Sequence, residues 1–357
     1  HTQKLVFSGD LGQPDQPLVK DPTLIAEADY VIIESTYGNR RHDPEDNMDA
    51  LGRIIRESIE RGGNVIIPAF AVGRTQTILY YLQQLLQAGK IPDVPVFIDS
   101  PLAISATQIF MDNPEHYDQD AYDMLYNQHI NPLQLPQLRT TKTAEESKAI
   151  NSLQEPAIII SASGMADAGR ILHHLKHNLW RPEASVLFVG YQAEGSLGRR
   201  LLDGAQKVRI LGEEISVKAK IYNLDGFSAH ADMDQLYAWL SHFVTRPTVF
   251  LVHGEPAMSE PFAARIADEL KLDAVIPNYG DIVTIEGRAW SLTESGFVLE
   301  SGAVRALRDF LAQMQREFCE HAKRLERMVT ENPNQLSTIL RHLNKLNAHI
   351  KKMIKSL

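Results

Sequence analysis

Four side chains carry the residue types that metal-assisted hydrolysis needs: Asp10, Glu34, His230 and His253. Each stands at the end of an apolar or glycine-rich run rather than on a helix face, which is where an α/β fold gathers its reactive groups. Carboxylate and imidazole both bind zinc, and a spare Glu–His pair can move protons. Taken singly, each has an ordinary explanation. Asp10 reads equally well as a turn residue, and a lone histidine such as His253 more often closes a hydrogen bond in a core.

The elements that must position these groups are visible as short β-branched runs. Residues 4–8 read as a strand, and residues 31–33 as a buried strand ending in the polar cluster at 34–38. The same form recurs at 65–68, 94–98, 157–160, 186–189 and 249–252. Helical patterns lie between them at 48–61 and 75–88, the latter with Ile78, Leu79, Leu82, Leu85 and Leu86 on one stripe. Such alternation implies an α/β protein with largely parallel pairing. Residues 113–148 are polar with weak periodicity and read as a surface excursion that forms part of a lid. After residue 301 the pattern is helical alone: two stripes, broken at 331–334, predict a helical hairpin. Its seam packs on the chain itself, or alternatively on a second copy or a protein partner.

Composition sets limits. The chain has 357 residues, 23% charged and 44% hydrophobic, enough for a sizeable core across about two domains. With 36 Lys and Arg against 45 Asp and Glu, the net charge of −9 excludes a uniformly basic nucleic-acid coat, so any polyanion must meet a local patch. Arg40, Arg41, His42 and Arg74 are candidates for that patch. The single cysteine, Cys319, forbids an internal disulfide and a thiolate metal cluster. No apolar run is long enough to span a bilayer, so the expectation is a cytoplasmic protein without a membrane partner. His173, His174 and His177 lie at helical spacing, but no acid intervenes, and they read as a polar helix face rather than a metal site.

Taken together, the contexts of these residues resemble the β-CASP family of metallo-β-lactamase-fold nucleases. The likeness rests on FSGD (7–10), VIIESTYG (31–38), GGNVIIPAFAVGRTQ (62–76), SASGMADAGR (161–170), GFSAHAD (226–232) and LVHGE (251–255). It is greatest to bacterial members of the type related to the polyadenylation endonuclease subunit, and ribonuclease J is also related. By this resemblance Asp10 is the aspartate that bridges two zinc ions and His253 a ligand of the second zinc. Glu34 is the acid that orients and charges a histidine, and His230 is that histidine, set beside the scissile phosphate. A histidine at the position of His253 favours RNA over DNA within the family. Ser228 matches a serine that helps hold a substrate phosphate. The turn carrying Ser163 and Arg170 opens into a helix, and its backbone N–H groups are expected to cradle a second phosphate.

The implied architecture is α/β: an αββα metallo-β-lactamase sandwich, incomplete here, with an inserted β-CASP domain and a C-terminal helical extension. The boundaries expected are 1–37 and 225–300 for the lactamase domain, 38–224 for the β-CASP cap and 301–357 for the extension. The implied activity is that of a ribonuclease cutting single-stranded RNA with two zinc ions, which at about 3.5–4 Å apart lower the pKa of a bridging water and clamp in-line displacement at phosphorus. One departure stands out. The family's HxHxDH motif is absent, as is the histidine expected upstream of Asp10, and none of the 13 histidines replaces them. Of the usual zinc-site side chains only Asp10 and His253 remain. The expectation is therefore a fragment whose earlier lactamase segment precedes His1, the alternative being an inactive RNA-binding or scaffold relative. A small-molecule hydrolase is disfavoured, because such enzymes lack the cap.

Overall fold

The structure is a computed structural model and describes residues 2–42, 47–287 and 289–296. The helical hairpin expected over 301–357, with its interface, lies outside the described residues. No helix among the described residues is long and apolar enough to cross a membrane.

The chain starts with two parallel strands, β1 (Leu5–Phe7) and β2 (Tyr30–Glu34), in register Leu5 to Tyr30 and Phe7 to Ile32. It then builds a second sheet by strand–helix alternation: α1 (Asn47–Glu60), β3 (Val65–Pro68), α2 (Arg74–Gln87), β4 (Val96–Ile98) and α3 (Pro101–Asp112). The stretch expected to wander over the surface is instead structured, with α4 (Gln119–Tyr126), β5 (Leu138–Thr140) and α5 (Ala144–Ile150). Local capping accounts for this where periodicity is weak. Asp118 accepts from the Ala121 N–H at the start of α4, and Thr143 with Glu146 closes a capping box on α5. β6 (Ile158–Ser161), α6 (Ile171–Asn178), β7 (Ser185–Phe188) and α7 (Leu197–Leu202) follow, then an antiparallel hairpin, β8 (Lys207–Ile210) with β9 (Glu213–Ser216), and β10 (Lys220–Asn223).

This second sheet runs β10-β7-β3-β6-β4-β5, and every pairing in it is parallel. Helices cover both faces, giving two apolar clusters. One holds Leu51, Ile55, Ile78, Leu82 and Ile160, the other Ile66, Ile159, Leu175, Val186 and Phe188. β3, β6 and β7 are buried on both sides, which is why they read as unbroken apolar runs rather than alternating ones.

The chain then returns to the first sheet through α8 (Met233–Ser241), β11 (Thr248–Val252), α9 (Pro256–Arg265) and β12 (Ala274–Val275). The strand order is β1-β2-β11-β12, again all parallel. Val31, Ile33, Val249 and Leu251 fill its core with Leu236 and Phe262, each side chain contributing about 1.5–3 kcal/mol by leaving water. A two-stranded hairpin, β13 (Ile282–Glu286) with β14 (Ala289–Thr293), ends the described chain. The α/β expectation with parallel pairing is thus met in both larger sheets.

Candidate active site

β1, β2 and β11 are neighbours and point the same way, so their carboxyl ends open on one rim. Glu34 ends β2 and is paired in register with Val252, the last residue of β11, so His253 emerges directly beside it. Asp10 follows β1 after Ser8 and Gly9. The fourth group arrives by a separate route: the segment at 11–13 forms an antiparallel bridge to His230, with Ala231 N–H donating to the Leu11 carbonyl (2.7 Å) and Gln13 N–H to the Ala229 carbonyl (3.1 Å). Residues separated by most of the chain therefore meet.

Two ion pairs result. His230 Nδ1 lies 3.0 Å from Glu34 Oε2 and 3.2 Å from Oε1. An ionised carboxylate can only accept, so Nδ1 carries the proton and Nε2 is left for other work. Glu34 is 1% exposed, and the Leu11 N–H also donates to its Oε1. The hydrogen bond to Glu34 raises the pKa of His230 above its ordinary value, against the opposing effect of burial. The second pair is exposed: His253 Nδ1 stands 3.1 Å from Asp10 Oδ1, with side chains 58% and 65% accessible. Ligand atoms of Asp10, Glu34 and His230 lie within 4.8 Å of one another, and the rings of His230 and His253 are 6.1 Å apart.

The local backbone is built for this approach. His253 sits in the left-handed region at φ 52°, and Gly254 passes so close to β2 that a Cβ there would lie 2.7 Å from the Ser35 carbonyl oxygen and overlap its hydroxyl. Supporting hydroxyls surround the pairs. Ser8 Oγ accepts from the Glu34 N–H (3.1 Å), Ser35 Oγ donates to the Val252 carbonyl (3.0 Å), and Thr36 Oγ1 donates to the His253 carbonyl (3.2 Å). Sequence reasoning missed these, together with Gln13, whose amide donates to the Ser228 carbonyl. Their only signal is a hydroxyl or amide within two or three residues of a reactive group. His42 also changes role. Its Nε2 donates to the His230 carbonyl (2.9 Å) and its N–H to Asp232 (3.1 Å), so it braces the His230 loop instead of joining a basic patch. Arg41 pairs with Asp234 at 2.6 Å.

The remaining expected site residues lie elsewhere or are already engaged. Ser228 is buried beside the His230 loop. Ser163 Oγ accepts from the N–H groups of Asp167 (3.3 Å) and Ala168 (3.4 Å), and the N–H groups of Ser163, Ala166 and Ile171 find carbonyls within the same turn. Five of the N–H groups of this turn are thus engaged within it. Arg170 is likewise taken up: it donates to Asp99 (2.7 Å) and to the carbonyls of Thr141 (3.0 Å) and Lys142 (2.9 Å). His174 is not on a polar face but fully buried, 2.6 Å from the other Asp99 oxygen. Thr141 and Ser147 complete this cage around Asp99. Burial would raise the Asp99 carboxyl, but donation from His174, Ser147, Thr141 and Arg170 outweighs it and holds the group well below the usual range.

As a metal site, the Asp10–His253 pair offers one oxygen and one nitrogen donor, both accessible and within reach of one ion. That donor chemistry suits zinc, although two donors are fewer than the four-coordinate sphere zinc takes. Glu34 also has a ligand atom within 4.8 Å of those of Asp10 and His230, and its carboxylate accepts from His230 and the Leu11 N–H.

Comparison with known families gives two domain matches and several relatives. The Beta-Casp domain matches residues 75–201, and the Zn-dependent metallo-hydrolase RNA specificity domain matches residues 214–277. Ribonuclease TTHA0252 of Thermus thermophilus is 39% identical over 252 residues, covering 70% of this chain and 57% of its own length. An RNase J-like protein of Methanocaldococcus jannaschii is 35% identical over 291 residues, 79% of this chain and 66% of its own. Transcription termination factor FttA of Methanosarcina mazei is 31% identical over 280 residues, 75% of this chain and 44% of its own. The chain thus spans between 44% and 66% of the length of these relatives.

Proposed function

This chain belongs to the β-CASP family of metallo-β-lactamase-fold nucleases, and we propose that the protein is a zinc-dependent ribonuclease hydrolysing phosphodiester bonds in single-stranded RNA. The observation that carries the reading is the convergence of Asp10, Glu34, His230 and His253 on one strand-end rim. In this reading residues 1–37 and 225–300 belong to the lactamase domain and 38–224 to the cap. Asp10 and His253 would hold zinc, which when bound supplies a Lewis acid and an activated water; two ions are expected of the complete site.

The chain's own residues do the rest. Glu34 fixes the tautomer of His230 and keeps its ring charged, so Nε2–H faces the substrate as a proton donor for the departing 3′ oxygen. Ser228, on the same loop as His230, and Ser163 and Arg170, on the turn before α6, are the residues proposed to hold substrate phosphates, Arg170 while also bonded to Asp99. The RNA-specificity description of the match over 214–277 and the ribonuclease names of the relatives support RNA as substrate.

A catalytically inactive RNA-binding relative is the second reading, favoured by the count of two zinc donors. Cleavage of single-stranded RNA by the full-length protein, abolished by a chelator and restored by zinc, is the expected result. Tight RNA binding without cleavage at any zinc concentration would select the inactive reading instead.

A further inference from the structure

Arg74 is the first residue of α2 and lines a cavity of about 450 Å³ together with Asp10, Ser8, Gln13 and Phe227. Its surroundings are unusual for a guanidinium. Nη1 is buried, yet among the described residues it has no hydrogen-bond partner. No described carboxylate pairs with it, and the nearby groups that interact with its charge include the phenol groups of Tyr37 and Tyr81. Burial lowers its pKa to about 10, so it remains cationic at neutral pH. Its charge is also felt by His230, whose protonation it opposes.

A buried cation without a partner is costly, and proteins keep such a group where a ligand supplies the missing charge. Three other cations already have partners: Arg41 meets Asp234, Arg170 meets Asp99, and Lys20, which lines the same cavity, donates to the Glu115 carbonyl. Arg74 differs in lining, with an unpartnered nitrogen, the cavity that Asp10 shares. Its position at the amino end of a 14-residue helix, where the N-cap Gly73 offers no side-chain acceptor, adds positive potential at the same point.

We propose that Arg74 is a substrate-binding residue that clamps the non-bridging oxygens of an RNA phosphate in the cavity it shares with Asp10 and Ala229, the neighbour of His230. This rests on the ribonuclease reading and adds to it a specific anion site within the cap. A planar guanidinium holds two phosphate oxygens at once, which an ammonium cannot do.

The test uses the full-length protein with divalent metal chelated, so that binding of a short single-stranded oligoribonucleotide is read without cleavage. Arg74→Met should weaken binding about tenfold and reduce the slope of log affinity against log salt by about 0.7, the value for one lost phosphate contact on a single strand. Arg74→Lys should recover part of both. Because the native guanidinium lacks a partner, Arg74→Met should unfold at the wild-type temperature or above. Lys207→Gln, which removes an exposed cation paired with Glu214, serves as the control and should leave binding unchanged. Wild-type affinity and slope in Arg74→Met overturn the assignment, as does a destabilised Arg74→Met whose stability Arg74→Lys restores without any change in RNA affinity between Arg74→Lys and wild type. Failure of the wild-type protein to bind the oligoribonucleotide overturns the ribonuclease reading and this assignment with it.

Discussion

His230 Nδ1 lies 3.0 Å from Glu34 Oε2 although 196 residues separate them in sequence. The buried carboxylate sets which ring nitrogen bears the proton, and the fold brings the pair to the edge of a site whose other two members, Asp10 and His253, face solvent. One pair is built to stay charged and the other to stay available.

Glu34→Gln should preserve the fold while lowering the cleavage rate by roughly a hundredfold or more, the usual scale of lost acid catalysis. The pH profile adds a second readout. The Glu34 hydrogen bond raises the pKa of His230 above 6.5, so the imidazolium persists towards neutrality, and activity should fall as pH rises through that folded value. The stabilising contribution of the pair behaves alike: present in full below the unfolded pKa and lost as pH rises through the folded one. Removing the anion should shift the basic limb to lower pH. An unchanged limb, or a histidine titration by NMR that ignores the substitution, would remove Glu34 from its role.

Asp10→Ala and His253→Ala address the metal. Both side chains are more than half exposed and their pairing supports little of the core, so thermal unfolding of the zinc-free proteins should match wild type. Zinc bound at equilibrium dialysis should fall in each variant. Wild-type zinc content in both would place the metal elsewhere.

Gly254→Ala probes backbone geometry. The added methyl would meet the Ser35 carbonyl at 2.7 Å and force β2 and the His253 turn apart. Loss of zinc affinity with modest destabilisation is expected. Wild-type zinc affinity in the Gly254→Ala protein would show that the close approach is dispensable.

Asp99→Asn tests the cap. The carboxylate is fully buried and serves four side chains, so the substitution leaves Arg170 without its counter-charge and disturbs the bond to His174, and should cost about 3–5 kcal/mol at neutral pH. Since its folded pKa is depressed, the stability it contributes is present above the unfolded value near 3.8 and lost as pH falls towards the folded one. Urea unfolding should show the gap between wild type and variant narrowing below about pH 4. A gap that does not change with pH would assign the loss to packing.

The apolar runs and their polar ends were readable from sequence, because a strand buried on both faces has a local signature and leaves its reactive residue at a recognisable place. Glu34 after Val31, Ile32 and Ile33, and His253 after Val249 to Val252, are of this kind. α4 and α5 escaped notice because caps at Asp118 and Thr143, not an apolar stripe, define their starts.

Residue chemistry and the positions of the strands were thus encoded locally, but strand order and partnership were not. That Arg170 meets Asp99, that His174 faces the core and not water, and that His42 braces a loop depended on which carboxylates and carbonyls the chain crossings brought within hydrogen-bond reach. A hydrogen bond is decided over about 3 Å, and sequence separation carries no information about that distance until the sheets have formed.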